Sequence, residues 1–163
     1  MLFKSSQYKI ETKQSQEEVY KILSENTDKK RLHLFGKSNF EFEGIVAQDH
    51  FKFEKTINGR NSFNPMIIGK YNENINKQTL IEFELKISSF VKFFYYFWLI
   101  LVIVIGCSSI FFMKEWYIAI GVLISMLFMG FVVYYIGFSM AKENILNTFK
   151  KLFNEKIIGV KVF

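Results

Sequence analysis

A lone cysteine, Cys107, has nothing to pair with inside the chain, so a disulfide scaffold is excluded and nothing argues for an oxidising compartment. The two histidines, His33 and His50, stand apart without a cysteine partner or ligand spacing, which argues against a metal centre. A Gly-rich phosphate loop, a nucleophile elbow and an intact Ser/His/Asp order are all missing. No catalytic residue, cofactor-binding residue or metal ligand is therefore expected. The most telling scarcity is of charge. Residues 93–141 contain only Lys114 and Glu115, although 22% of the 163 residues are charged. Segregation on that scale excludes an ordinary soluble globule and a disordered chain.

What fills the uncharged region is apolar. Residues 93–113 form a stretch of 21 without formal charge between Lys92 and Lys114, and residues 116–141 form another of 26 between Glu115 and Lys142. As helices these reach about 31 and 39 Å, against a hydrocarbon core of roughly 30 Å. They are predicted to be a transmembrane hairpin, with spans at about 93–113 and 116–138. Phe93, Phe94, Tyr95, Tyr96 and Trp98 crowd the entry, Trp116 and Tyr117 the far turn, and Tyr134 and Tyr135 the exit, as interface aromatics do. Lys86 and Lys92 before the hairpin, and Lys142, Lys150, Lys151 and Lys156 after it, place both termini in the cytoplasm by the positive-inside rule. Met1, Leu2, Phe3 and Lys4 begin no apolar stretch of signal-peptide length, so residues 1–92 are expected to stay there.

Small residues recur along the second span in two sets, Gly121 with Ser125 and Gly130 with Gly137 and Ala141. Their spacing permits close helix approach, so one set can receive the first span and leave the other for a second copy or another protein. The competing reading is that glycine is simply frequent in membrane helices. Neither span holds an ionisable group, which deprives a proton or ion path of its usual residues.

The flanking segments read as one α+β domain in two pieces, residues 1–91 and 142–163, with residues 92–141 inserted. Residues 7–12 predict a strand. Ser15 and Glu18 form a capping box opening a helix that presents Val19, Ile22 and Leu23 and ends near Asn26, before the polar, basic run from Asp28 to Arg31. Phe40 and Phe42 alternate with Glu41 and Glu43, Phe51 and Phe53 with Lys52 and Glu54, and Ile81, Phe83, Leu85 and Ile87 with Glu82, Glu84 and Lys86. Period two with one polar face predicts an antiparallel sheet. Residues 66–71 add a strand just after the sole proline, Pro65. Gly44, Asn58, Gly59 and residues 72–76 are the turn signals. Ile145, Leu146, Phe149, Leu152 and Phe153 predict an amphipathic helix that returns to cover the sheet, and Ile158, Val160 and Val162 a short last strand.

Phe42, Glu43, Gly44, then Phe51, Lys52, Phe53, then Arg60, Asn61, Ser62, Phe63, Asn64, Pro65, Met66, Ile67, Ile68, Gly69 and Lys70 together resemble a family of small bacterial membrane proteins. The resemblance covers roughly residues 15–150. It implies an N-terminal helix, a sheet carrying an R-N-S-F-x-P-x-I-x-G signature, and two membrane spans; it lends no activity. Members often carry His-Pro before the first span, where Ser88, Ser89 and Phe90 stand in this chain.

Arg60, Asn61, Ser62 and Asn64 form the densest polar cluster. Together with Lys92 and Lys142 at the ends of the spans, Arg60 and Asn61 are candidate contacts to a phosphate or lipid headgroup. The turn-forming habit of Asn and Ser before Pro explains the same residues. The acidic residues of the strands are expected to pair across strands with Lys52, Lys70 or Lys86 rather than to act as acid and base. A net charge of +6 carried mainly by scattered lysines suits anionic lipid better than nucleic acid. These readings converge on a non-enzymatic, multi-pass protein of the bacterial inner membrane that needs no cofactor. It would act as an assembly or accessory subunit, a homo-oligomer or part of a larger membrane complex. The alternative is a lipid-binding or lipid-sensing domain with a cleft lined by Phe40, Phe42, Phe53 and Phe83.

Overall fold

The computed structural model describes residues 5–28, 40–56, 63–74, 78–112, 115–155 and 157–160. The chain is α+β. Its elements run β1 (Ser6–Thr12), α1 (Gln16–Glu25), β2 (Thr27–Asp28), β3 (Phe42–Val46), β4 (His50–Lys55), β5 (Met66–Glu73), β6 (Thr79–Lys86), α2 (Ser89–Phe112), α3 (Trp116–Phe153) and β7 (Ile157–Val160). Seven strands make one sheet in the order β2-β3-β4-β5-β6-β1-β7.

Local chemistry accounts for most boundaries. The Ser15 hydroxyl accepts from the Glu18 N–H while the Glu18 carboxylate accepts from the Ser15 N–H, the predicted capping box at the start of α1. Ser88 performs the equivalent service for α2, its hydroxyl accepting from the Val91 N–H at 3.3 Å. α3 ends where Asn154 turns left-handed (φ 51°), with Lys150 and Lys151 in the last turn beside the helix's negative pole. Pro65 immediately precedes β5 and takes no place in the ladder.

Three features of the sheet differ from the sequence reading. The sheet is mixed, because Thr27 and Asp28, at the foot of α1, pair in parallel with Phe42 and Glu43 while every other pairing is antiparallel. Two residues make no hydrophobic period, so this strand left no signature. Gly44 is no turn; it lies inside β3, opposite Phe53. Phe40 stands outside the strand and is 41% exposed.

The sheet's inner face is buried under α1 and the last third of α3. Val19 and Leu23 cover it from α1, and Ile145, Phe149 and Phe153 from α3, over Tyr8, Ile10, Phe42, Phe51, Phe53, Ile67, Tyr71, Ile81, Phe83 and Leu85. Phe149 is the centre of this core. Its ring stacks on Phe83 at 4.5 Å and lies 5.6–6.3 Å from Phe42, Phe51, Phe53 and Phe153. The outer face is polar. Glu82 meets Lys70 across strands at 3.3 Å, as expected, and Lys9 adds an unforeseen cross-strand contact to Glu82, whereas Glu84 meets Lys86 at 3.0 Å within β6 rather than across strands. Hydrogen bonding from Lys9, reinforced by Lys70, holds the Glu82 carboxyl below the usual carboxylate range.

α2 and α3 are antiparallel: Gly106 faces Leu123, Trp98 faces Gly130 and Tyr95 faces Tyr134. Both are long and apolar enough to cross a membrane. The second predicted span and the returning helix are one unbroken helix of 38 residues, about 57 Å long. No glycine or proline between Ala141 and Phe153 interrupts it. Its inward seam runs Ala119, Leu123, Met126, Gly130, Tyr134, Gly137, Ala141, Ile145 and Phe149, in steps of three and four residues from the hairpin's tip to the sheet.

Candidate functional site

The hairpin leaves the sheet through a joint built from three places in the sequence. Phe63, just ahead of β5, lays its ring on Gly137, where a Cβ would approach the ring's Cδ2 to 2.7 Å. The same ring meets Tyr134 edge-on at 6.3 Å, and Tyr134 packs with Ile87, Val91 and Tyr95. Tyr134, expected as an interface aromatic, is thus buried inside the joint.

Next to this joint lies a cavity of about 400 Å³ lined by both helices, within the range of small-molecule sites. Phe90, Phe94 and Trp98 line it from α2, Met129, Gly130 and Val133 from α3, and Phe63 bounds it. It extends about 12 Å along α2, from Phe90 to Trp98. The lining is almost wholly apolar. The Trp98 indole nitrogen lies against Gly130, 3.1 Å from where a Cβ would stand, and has no hydrogen-bond partner. Among the described residues four buried side-chain polar atoms lack a partner, and Trp98 Nε1 is the one within the hairpin.

A second polar feature ties the sheet to α3. Lys55, at the end of β4, has a side chain only 10% exposed. Its ammonium donates to the Asn144 side-chain oxygen at 2.9 Å, to the Asn144 carbonyl at 3.3 Å and to the Thr148 hydroxyl, with Glu41 at 3.8 Å. Desolvation lowers the Lys55 pKa below the ordinary lysine value; Glu41 opposes the shift and Lys151 adds to it. Between that lowered pKa and 10.5, the unfolded chain holds a proton that the folded chain has released, so stability rises with pH there. The buried Tyr71 hydroxyl works the other way. Burial pushes its pKa up to about 12, so stability falls as pH passes the unfolded tyrosine value near 10. The Lys55→Met variant should lose the rising limb and keep the falling one, as urea unfolding midpoints between about pH 8 and 11 would report.

The sequence-predicted site residues separate into three groups. Arg60, Asn61 and Ser62 lie outside the described residues, as does His33. Lys92 stands in the first turn of α2, whereas Lys142 lies over the sheet, its ammonium 5.6 Å from the Tyr8 ring centroid. Of the small residues, Gly130, Gly137 and Ala141 face inward, against Trp98, Phe63 and the joint. Gly121 and Ser125 face outward: nothing lies within 4 Å of a Cβ built at Gly121, and the Ser125 hydroxyl donates to its own helix at Val122. His50 bonds its neighbour Asp49 at 2.6 Å, and no cluster of three metal-ligating side chains occurs among the described residues.

The expected aromatic cleft is filled. Phe42, Phe53 and Phe83 are buried against Phe149, and Phe40 lies outside that cluster. The cavity's own markers were visible but ambiguous. Trp98 reads as an interface aromatic and Phe63 as part of a turn, and only the pairing of α2 with α3 brings them to one place.

No protein-family model, curated protein or solved structure matches this chain.

Proposed function

We propose that this chain is a non-enzymatic protein of the bacterial inner membrane that binds lipid in the cavity at the base of its hairpin. Insertion is supported by the outward surface of both helices, where Ile100 and Phe128 are each more than 60% exposed. A hairpin with both ends on one side agrees with that surface. The chain enters α2 from β6 and returns from α3 into β7, which pairs with β1 in the same sheet, so the sheet occupies one side only. The lysines flanking the hairpin assign that side to the cytoplasm. The cavity carries the lipid reading, being apolar, lined by both helices and level with the first turns of α2.

Alkaline carbonate should leave the protein in the membrane fraction, and protease added outside spheroplasts should spare the sheet. Native mass spectrometry from mild detergent should show one retained phospholipid. Val133→Trp, which fills the cavity, should remove it while leaving the helical content unchanged. Carbonate release would overturn the membrane assignment; a wild-type protein without lipid would overturn the binding assignment.

Assembly with a second copy or another membrane protein is the second reading, favoured by the open Gly121 and Ser125 face. Gly121→Leu should then break an oligomer seen in detergent without changing lipid retention.

A further inference from the structure

We infer that the connection from β4 to β5 is a strap that locks the α2–α3 hairpin to the sheet, so that a tilt of the hairpin turns the sheet with it. Gly137 is where a hinge would be expected. It is the last glycine of α3, it stands where the helix passes from the hairpin to the sheet, and glycine weakens a helix locally. Beyond it neither glycine nor proline interrupts α3.

The strap holds the helix on both sides of that point. At one end the Phe63 ring occupies the space that a side chain at 137 would need, its Cδ2 standing 2.7 Å from a Cβ built there. At the other end the Lys55 ammonium bonds the Asn144 side chain at 2.9 Å, the Asn144 carbonyl at 3.3 Å and the Thr148 hydroxyl. Bonds from a charged donor are stronger than neutral ones, and this side chain is only 10% exposed, so water competes little for it. Asn64 joins the two ends. Its side-chain amide donates to the Lys55 carbonyl at 2.7 Å, so the two anchors cannot separate while that bond holds. Both anchors adjoin paired strands, Glu54 opposite Met66, which fixes the strap to the sheet. From Gly137 to Thr148 it covers about 16 Å of α3 and splints the weak point. Under the membrane reading above, on which this consequence alone rests, the uncharged run of about 39 Å exceeds a hydrocarbon core of roughly 30 Å. Tilting absorbs such an excess, and the strap hands the tilt to the sheet.

The lone cysteine supplies the first label for a test. Cys107 is exposed and follows Gly106, which faces Leu123 far up the hairpin. Spin labels at Cys107 and at either Ile45→Cys on β3 or Ile158→Cys on β7 give two distances by double electron–electron resonance on the full chain in detergent. Both second positions are exposed and lie toward opposite edges of the sheet. With the strap intact, each distribution should be single and narrow. Lys55→Met combined with Asn64→Ala should broaden both, because a kink of about 20° at Gly137 swings a label about 21 Å beyond it by roughly 7 Å. Near-ultraviolet circular dichroism should stay unchanged, since neither residue belongs to the aromatic core. Asn64→Ala alone removes only the closing bond and should broaden both partway. Broad distributions with the strap intact would overturn the inference. So would unbroadened distributions in the folded double variant or, should that variant fail to fold, in Asn64→Ala. Either result leaves the lipid-binding reading standing, and loss of lipid retention leaves the strap standing.

Discussion

Phe149→Ala should reduce the stability of the sheet domain by about 3–5 kcal/mol, a large share of the roughly 5–15 kcal/mol that holds a typical domain together. Phe149 is fully buried and touches rings from three strands: Phe42 on β3, Phe51 and Phe53 on β4, and Phe83 on β6. Truncation removes that apolar burial and leaves a void that the sheet cannot close, because the β-ladder fixes the spacing of its strands. The consequence reaches beyond the core. α3 is continuous from the hairpin into this contact, so loosening Phe149 frees the end of the helix and, behind it, the β7–β1 pairing. Urea unfolding in detergent, followed by near-ultraviolet circular dichroism, measures the loss. Limited trypsin digestion should show Lys150 and Lys151 cleaved early in the variant and protected in wild type. A loss under about 1 kcal/mol with unchanged proteolysis would mean that α3 does not rest on the sheet.

Gly44→Ala is expected to be the most damaging small change. A Cβ at this position would lie 2.3 Å from the Lys52 carbonyl oxygen and 2.5 Å from the Phe53 Cα, both backbone atoms of the partner strand. Backbone in a paired strand cannot move aside as a side chain tip can, so β3 must separate from β4. Phe42, two residues earlier on the same face, would then lose its ring contact with Phe53 at 4.4 Å. Overpacking of this kind costs about 1–3 kcal/mol, and the clash with backbone places the expectation at the upper end. Gly159→Ala and Gly121→Ala are the controls. The first meets only Tyr8 at 3.8 Å and the second meets nothing within 4 Å, so both should leave the unfolding midpoint nearly unchanged. If Gly44→Ala behaves like them, Gly44 does not sit opposite Phe53 and β3 pairs with β4 in another register.

Where the signal was periodic or local, the elements could be read directly from the residues. The alternation of Ile81, Phe83, Leu85 and Ile87 returns as a strand and its exit whose inward residues are all buried. The capping box at Ser15 and Glu18 returns in detail, because its partners are three residues apart and need no tertiary contact. The joint resisted such reading. Lys55 and Asn144 are separated by 89 positions, and nothing around either residue announces the other. Phe63 and Gly137 meet only because the strand after Pro65 begins beside the point where the hairpin returns. Glycine has no periodicity, so its two sets on α3 looked alike in sequence and could not be ranked by exposure.

The order and type of the main elements, and the apolar length of the two helices, were properties of the chain by itself. They follow from hydrophobic period and charge placement, which act over a few residues at a time. Tertiary structure alone decided that Gly130 and Gly137 are consumed inside the molecule while Gly121 stays open, that the aromatic core is full, and that the cavity lies between the helices instead. Those outcomes depend on which surfaces meet across large sequence separations. Packing between rigid elements settles that, because a helix can bury only one face against a neighbour and must leave the opposite face to its surroundings.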